Sequence, residues 1–243
     1  MAQLSVNLDL VAAMREVRRL GEPDPCQAAV LAELAGADGI AVQLQRHRRF
    51  VRDRDLYLLK GIVKTKLAVE IPPLDDVIEK ILEVKPYLVT FVADHADTDA
   101  AASPIDFNAA AVDFGSLAAK FSAVGVNVAF FIEPDSEQIR GAAKSGATAV
   151  LVNCSRYAGA RTLQEAQSEL DRIDRAVRTA AKADLGVHCG RGVNYKNIRP
   201  LLELGVVDEF FVGYAICARA LLVGFDCAVR EMLTLVQASA NPA

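Results

Sequence analysis

The stretch Val187-His188-Cys189-Gly190-Arg191-Gly192-Val193-Asn194-Tyr195-Lys196-Asn197, followed by Phe211-Val212-Gly213-Tyr214-Ala215, decides how this chain is read. Two short apolar runs each end in glycine and lead straight into sequence of helical period. A βα-barrel builds a phosphate cradle in this way, from backbone N–H groups after its seventh and eighth strands. The anion site is therefore expected at Gly190-Arg191-Gly192 and Gly213-Tyr214, with the guanidinium of Arg191 on its rim.

Outward from these runs, eight apolar strand candidates alternate with helical segments: residues 4–10, 39–44, 66–71, 88–93, 127–132, 149–154, 186–190 and 209–214. Helix starts are expected at Asp24-Pro25, an N-cap followed by proline at the first helical position, and near Asp53, Pro73, Asp113, Ser136, Thr162 and Asn197. One unit recurs, a helix ending in a small residue and glycine before an apolar strand: Leu34-Ala35-Gly36-Ala37-Asp38-Gly39-Ile40, Ala123-Val124-Gly125-Val126, Lys144-Ser145-Gly146-Ala147 and Glu203-Leu204-Gly205-Val206. Glycine at that point is the left-handed residue that turns the chain back into the sheet. Eight strand–helix repeats, with strands too apolar to face water on either side, predict a single-domain (β/α)8 TIM barrel over residues 1–243. A doubly wound open sheet would need a glycine fingerprint after the first strand, and Asn7-Leu8-Asp9-Leu10 carries none.

With 243 residues, 52% of them hydrophobic, the chain can bury a large core without help from a partner. A net charge of -4 with no basic block gives no electrostatic reason to expect nucleic acid or an anionic membrane. The start of the chain, Met1-Ala2-Gln3-Leu4-Ser5-Val6-Asn7, has neither the charge nor the apolar run of a secretion signal, so a cytoplasmic protein is expected. Cys26, Cys154, Cys189, Cys217 and Cys227 are odd in number and lack metal-type spacing, which predicts reduced thiols and no metal site. The irregular segment 94–113, after the fourth strand, is either a lid over the mouth or a surface insertion. The long helical stretches 162–183 and 215–236 exceed what one barrel helix needs, and they serve either an oligomer contact, with a homo-oligomer expected, or the intrachain core.

Taken in order, Val6-Asn7-Leu8-Asp9, Pro23-Asp24-Pro25-Cys26-Gln27-Ala28-Ala29, Arg48-Arg49 with Arg52-Asp53-Arg54-Asp55, Glu70, Glu137-Gln138-Ile139, Gly190-Arg191-Gly192-Val193-Asn194-Tyr195 and Val212-Gly213-Tyr214-Ala215 resemble the pyridoxine phosphate synthase family. That family's barrel enzymes close the vitamin B6 ring from deoxyxylulose phosphate and aminoacetone phosphate. The resemblance covers nearly the whole chain and implies a phosphorylated small molecule as ligand, with no cofactor. It assigns substrate contacts to Asn7, Arg18, Gln43 and Asn153, acid–base roles to Glu70 and Asp9, and phosphate contacts to Arg191, Gly192, Gly213 and Tyr214.

The carry-over is uneven. Asn7, Asp9, Arg18, Glu70, Gly192 and Gly213 match the family pattern. Gln43 and Arg191 stand where the family keeps histidines, Tyr214 replaces a third and Leu10 a fourth. Gln45 and Phe50 stand for a phosphate-binding arginine and histidine, and the family's glutamate and His-Thr-Gly run give way to Leu151-Val152-Asn153-Cys154-Ser155. Glutamine takes up no proton near neutral pH and arginine releases none. Each lost general acid or base costs about 10²–10⁴ in rate, so the resemblance implies a diverged paralogue in which the ring-closing reaction is lost or changed. The alternatives are a synthase with a substituted acid–base set built on Glu70 and His188, and a noncatalytic binding or scaffold protein.

Bland readings stand beside these. Glu70 is a site carboxylate or a satisfied structural one, and His188 a replacement acid–base group or a core imidazole. Cys154 and Cys189 end neighbouring strands and either face one another or sit as inert buried thiols. The run Arg46-His47-Arg48-Arg49 reads as a solvated loop, and His95 as loop surface. Arg191, as a rim residue, is expected to bury little, so that its removal leaves stability nearly unchanged.

Overall fold

The computed structural model describes residues 1–18, 21–94, 102–109 and 111–238, with the backbone alone for Arg18. Its strands are β1 (Gln3–Asn7), β2 (Gly39–Gln43), β3 (Lys66–Ile71), β4 (Leu88–Phe91), β5 (Asn127–Ile132), β6 (Ala149–Asn153), β7 (Gly186–Gly190) and β8 (Glu209–Val212). The helices are α1 (Asp9–Arg18), α2 (Pro25–Leu34), α3 (Asp53–Ile62), α4 (Asp75–Val84), α5 (Phe114–Ser122), α6 (Ser136–Lys144), α7 (Ser155–Ala158), α8 (Leu163–Lys182), α9 (Ile198–Leu202), α10 (Tyr214–Val223) and α11 (Phe225–Ala238). All strand pairs are parallel and follow chain order, and β8 closes on β1 with Gln3 beside Glu209 and Val6 beside Val212. This is the (β/α)8 barrel that the eight apolar runs predict.

Strand alternation divides the core in two. Ala41, Ala68, Leu88, Ala129, Phe131, Ala149, Leu151 and Phe211 point inward and fill the barrel, while their neighbours along each strand join the larger cluster beneath the helices. The expected caps form: Asp24 accepts from Cys26 N at 2.8 Å, Asp113 caps α5 through Ser116 N, and Thr162 caps α8 through Glu165 N. The long α8 buries Ile173, Ala176, Val177 and Ala180 on one face, which assigns that face of the stretch to the intrachain core. The stretch 215–236 is two helices rather than one, because Gly224 takes φ 89 and ψ 154, a conformation open only to glycine, and breaks the ladder.

Part of the segment after β4 is anchored. Ala93 bridges Ser103, and Ile105 N donates to Phe131 O at 2.7 Å. Phe107 packs edge-on to Phe114 and Phe130, with centroids 5.4 and 5.0 Å away, and Phe130 stacks on Phe91. Residues 102–109 thus lie over the end of β5, while His95 and the rest of the proposed lid centre fall outside the described residues. Arg46 and Arg48 of the basic run pair with Asp94, Asp53 and Asp76. Truncating the aromatic hub by Phe130→Ala should lower unfolding free energy by about 3–5 kcal/mol, read by chemical denaturation.

Candidate functional site

The C-terminal mouth of the barrel is built from strand ends. Asn7 ends β1, and its side chain forms a reciprocal pair with Asp9 at the start of α1: Asn7 Nδ2 donates to Asp9 Oδ2 at 2.8 Å, and Asp9 N donates to Asn7 Oδ1 at 3.0 Å. The other Asp9 oxygen accepts from the backbone N of Gln43, which ends β2, at 2.6 Å. This contact ties β1 to β2 above their ladder. Burial raises the Asp9 carboxyl above its ordinary range, against the hydrogen bonds from Asn7 and Gln43 and the charge of Arg191.

Glu70, on β3, is 2% exposed and bonded to Arg191 Nη2 from the loop after β7. Burial and the neighbouring Asp9 push the Glu70 carboxyl up, and Arg191 pulls it down, with a net upward displacement. The Arg191 guanidinium also lies 4.9 Å above the ring of Phe131, a cation–π contact that holds it across the mouth. Arg191 takes φ 67, an uncommon left-handed conformation for a side-chain-bearing residue, which turns it back over the barrel instead of out along the strand. Arg191 is therefore not the lightly held rim residue its position suggests, since its side chain is 20% exposed and neutralises a buried carboxylate.

Two glycines give the cradle its shape. A Cβ on Gly192 (φ 78) would sit 2.5 Å from Ala158 Cβ, and one on Gly213 would sit 2.9 Å from Asn7 Oδ1. Gly213 caps α10, whose first-turn N–H groups have no intrahelical partners, and Gly213, Tyr214 and Ala215 line the mouth. The helix start expected near Asn197 forms, with Asn197 as the N-cap of α9, but the run after Gly190 does not lead straight into it, because residues 191–197 intervene. There the Asn194 side chain accepts from Lys196 N at 2.9 Å, and Asn197 Oδ1 accepts from Asn194 N at 2.7 Å, so side-chain turns shape the loop before the helix. Tyr214, the first residue of α10, is 77% exposed at the rim.

One cavity of about 960 Å³ opens at this mouth, lined among others by Asn7, Glu70, Phe131, Asn153, Arg191, Gly192, Gly213 and Tyr214, while Asp9 and Gln43 are not part of its lining. Asn153, ending β6, donates to Glu133 Oε1 at 2.7 Å and accepts from Ser155 N at 3.0 Å. Sequence reasoning missed Glu133, although it follows β5 as directly as a site carboxylate should; it also missed Lys196 and Phe131. Arg18 closes α1, and its side chain lies outside the described residues.

His188 is not part of this group. Its imidazole lies inside the barrel on the N-terminal side of the mouth: Nε2 is 4.0 Å from Glu209 Oε2 and would be 3.7 Å from a Cβ on Gly186. Glu209 accepts from Ser5 Oγ at 2.6 Å and from Lys66 Nζ at 2.5 Å, so a buried polar layer closes the lower barrel. Phe211 stacks beside the imidazole at 5.3 Å and lies between it and the cavity it lines. Cys154 and Cys189 are buried neighbours beneath the helices, and their mutual hydrogen bond and burial hold the Cys189 thiol well above its ordinary range. Among the described residues no three His, Cys, Asp or Glu side chains converge as a metal site, and no helix is long and apolar enough to cross a membrane.

Eight parallel strands with glycine-shaped ends on the seventh and eighth define the class, a (β/α)8 barrel with its site at the C-terminal mouth. A family model described as "Pyridoxal phosphate biosynthesis protein PdxJ" matches residues 4–238. The chain is 40% identical over 239 residues to the pyridoxine 5'-phosphate synthase of Geotalea daltonii, covering 98% of this chain and 100% of that protein. It is 39% identical over 237 residues to that of Geobacter sulfurreducens, covering 98% and 99%. The chain belongs to the PdxJ family. In fold alone it is similar to KGPDC from Streptococcus mutans, with a TM-score of 0.67 at 11% identity over 99% of this chain and 100% of that one. Phosphoribosylanthranilate isomerase from Thermotoga maritima is likewise similar, with a TM-score of 0.60 at 10% identity over 98% and 100%.

Two outcomes follow from this geometry. Arg191→Ala strands the buried Glu70 carboxylate and should cost about 1–3 kcal/mol in thermal or chemical unfolding, most of it recovered by adding Glu70→Gln. For His188, burial holds the folded imidazole below its ordinary value of 6.5; Lys66 acts in the same sense, while Glu209 and Asp208 oppose it. The unfolded chain then binds a proton that the folded chain refuses, so this contribution is full above pH 6.5 and is lost as pH falls below it. Unfolding free energy measured from about pH 7.5 to about pH 5.5 should fall more steeply for wild type than for His188→Gln.

Proposed function

We propose that this chain is a diverged PdxJ-family barrel that binds a phosphorylated small metabolite at its mouth and has lost the ring-closing reaction of the synthases. The observation that carries the reading is the Glu70–Arg191 ion pair. Glu70 matches the family's glutamate, and Arg191 occupies the position of a family histidine. Beside this permanent cation the Glu70 carboxylate takes up a proton less readily than burial alone would have it, and the cation itself exchanges none. The same substitution places a fixed positive charge beside the glycine N–H groups, which favours holding an anion over shuttling protons.

Ring closure requires imine formation, repeated proton transfers and loss of water and phosphate. Its demands fall on groups that titrate near neutrality on both sides of the substrate. Gln43 supplies none on the β2 side, where its backbone N–H serves Asp9. The run Leu151-Val152-Asn153-Cys154-Ser155 stands where the family carries a glutamate and a His-Thr-Gly run, and its Asn153 is held by Glu133 and the Ser155 amide. His188 reaches Glu209 in the lower layer instead of the cavity. Of the retained residues, Asn7, Gly192 and Gly213 bind and shape, while the two carboxylates Asp9 and Glu70 are engaged by Asn7, the Gln43 amide and Arg191.

Purified protein supplied with deoxyxylulose phosphate and aminoacetone phosphate should form no detectable pyridoxine phosphate. It should also fail to support a vitamin B6 auxotroph. Robust growth of that strain would overturn the reading in favour of a synthase with a substituted acid–base set.

A further inference from the structure

Arg191 serves two buried carboxylates and is not saturated by them. Its Nη2 donates to a single Glu70 oxygen, and its Nε is buried without a hydrogen-bond partner among the described residues. The second Glu70 oxygen likewise accepts no hydrogen bond among the described residues, and Glu70 lines the cavity. Asp9 stands close by: Glu70 pairs with Gln43 in the β2–β3 register, and the Gln43 N–H donates to Asp9 Oδ1. Asp9 is the more firmly held of the two, since Asn7 Nδ2 bonds its other oxygen.

Charge at this point is one-sided. Asp9 and Glu70 interact with each other and with Arg191, while Cys217 on α10 faces Asp9 as a neutral thiol, pushed up to about 11 by burial and by that carboxylate. Of the other cations lining the cavity, Arg219 is neutralised by Glu231 at 2.7 and 3.0 Å, and Lys196 is exposed to water, which screens it. With both carboxyls ionised, the inner mouth carries more negative charge than positive. An anion on the Gly192 and Gly213 loops that also takes Arg191 stands only the width of a guanidinium from Glu70 and draws on the same cation. Burial already favours the neutral Glu70 carboxyl, and Arg191 is what opposes it.

We propose that Glu70 takes up a proton from solvent when an anion binds at this mouth: the anion occupies Arg191, and the proton joins the Glu70 oxygen that has no partner. This rests on the reading above that the cavity holds a phosphorylated metabolite. An ionised Glu70 repels the anion, whereas the carboxylic acid has an O–H to donate to it. Binding thus raises the Glu70 carboxyl further above its value in the free protein. Between the two values affinity rises as pH falls, by up to about tenfold per pH unit for one proton, and below the free-protein value the gain levels off because the carboxyl is already protonated.

Calorimetric titration of the full-length protein from about pH 8 to about pH 5 with sulfate, a dianion of phosphate's shape throughout, tests this. Wild-type affinity should rise as pH falls, and the heat of binding should differ between buffers of different ionisation enthalpy, which counts the proton taken up. Glu70→Gln, a neutral isostere of the protonated side chain, should bind sulfate about tenfold more tightly than wild type at about pH 8, with no buffer dependence. Inorganic phosphate is the second probe, since its own titration is common to both proteins and cancels in their comparison. The wild-type heats carry the result by themselves if the variant does not fold. Equal heats in all buffers for wild type, or a Glu70→Gln protein that matches wild type or binds more weakly at every pH, overturns the proton coupling and leaves anion binding standing. Failure of both anions to bind overturns the coupling together with the reading on which it rests.

Discussion

Closure of β8 onto β1 is the constraint on which the rest of the molecule depends. Once Gln3 pairs with Glu209 and Val6 with Val212, every strand must present alternate residues to a barrel interior with room for only a few layers of side chains. Those layers are specialised by height. Ser5, Lys66, His188 and Glu209 make a buried polar layer at the N-terminal side, and alanines and large apolar residues fill the middle. Asn7, Glu70, Asn153 and Gly190 come to the top because they lie two residues further along the same inward-facing rows. A residue's place in the mouth or below it therefore follows from parity and register.

Electrostatics at the mouth are a matter of balance among three groups. Two carboxylates, Asp9 and Glu70, share a site of low polarity with one cation, Arg191. Without that cation both carboxylates would bear the cost of burial with no charge to offset it. Phe131 beneath the guanidinium and the left-handed backbone at residue 191 hold it in reach. Under the proposed reading, an arginine where the family keeps a histidine puts a fixed charge in place of a titratable group, which favours holding an anion over acid–base work.

The cradle and the cavity wall divide the labour of recognition. Backbone N–H groups at Gly213 and the first turn of α10 are indifferent to what a phosphate is attached to. On the wall, the hydrogen-bonding capacity of Asn7 and Asn153 is turned inward on neighbouring residues, and such preorganised pairs rigidify the mouth.

Much of this was legible in the chain itself, for physical reasons. Strand positions could be read because parallel strands buried on both faces must be continuously apolar, and the glycine after each recurring helix had to mark a left-handed turn. Helix starts at Asp24, Asp113 and Thr162 were legible because unsatisfied N–H groups demand a side-chain acceptor at a fixed offset. The order of the motifs assigned the family. What only the tertiary structure decided is which polar groups meet. His188 and Glu70 look equally eligible in the sequence, yet inside the barrel one sits two residues below its strand end against Glu209 and the other faces the mouth. The partnership of Arg191 with Glu70 joins residues far apart in the chain, and no local pattern encodes it. It arises because closure brings β3 and the loop after β7 to the same opening, where a buried carboxylate is stable only if a charge from elsewhere reaches it.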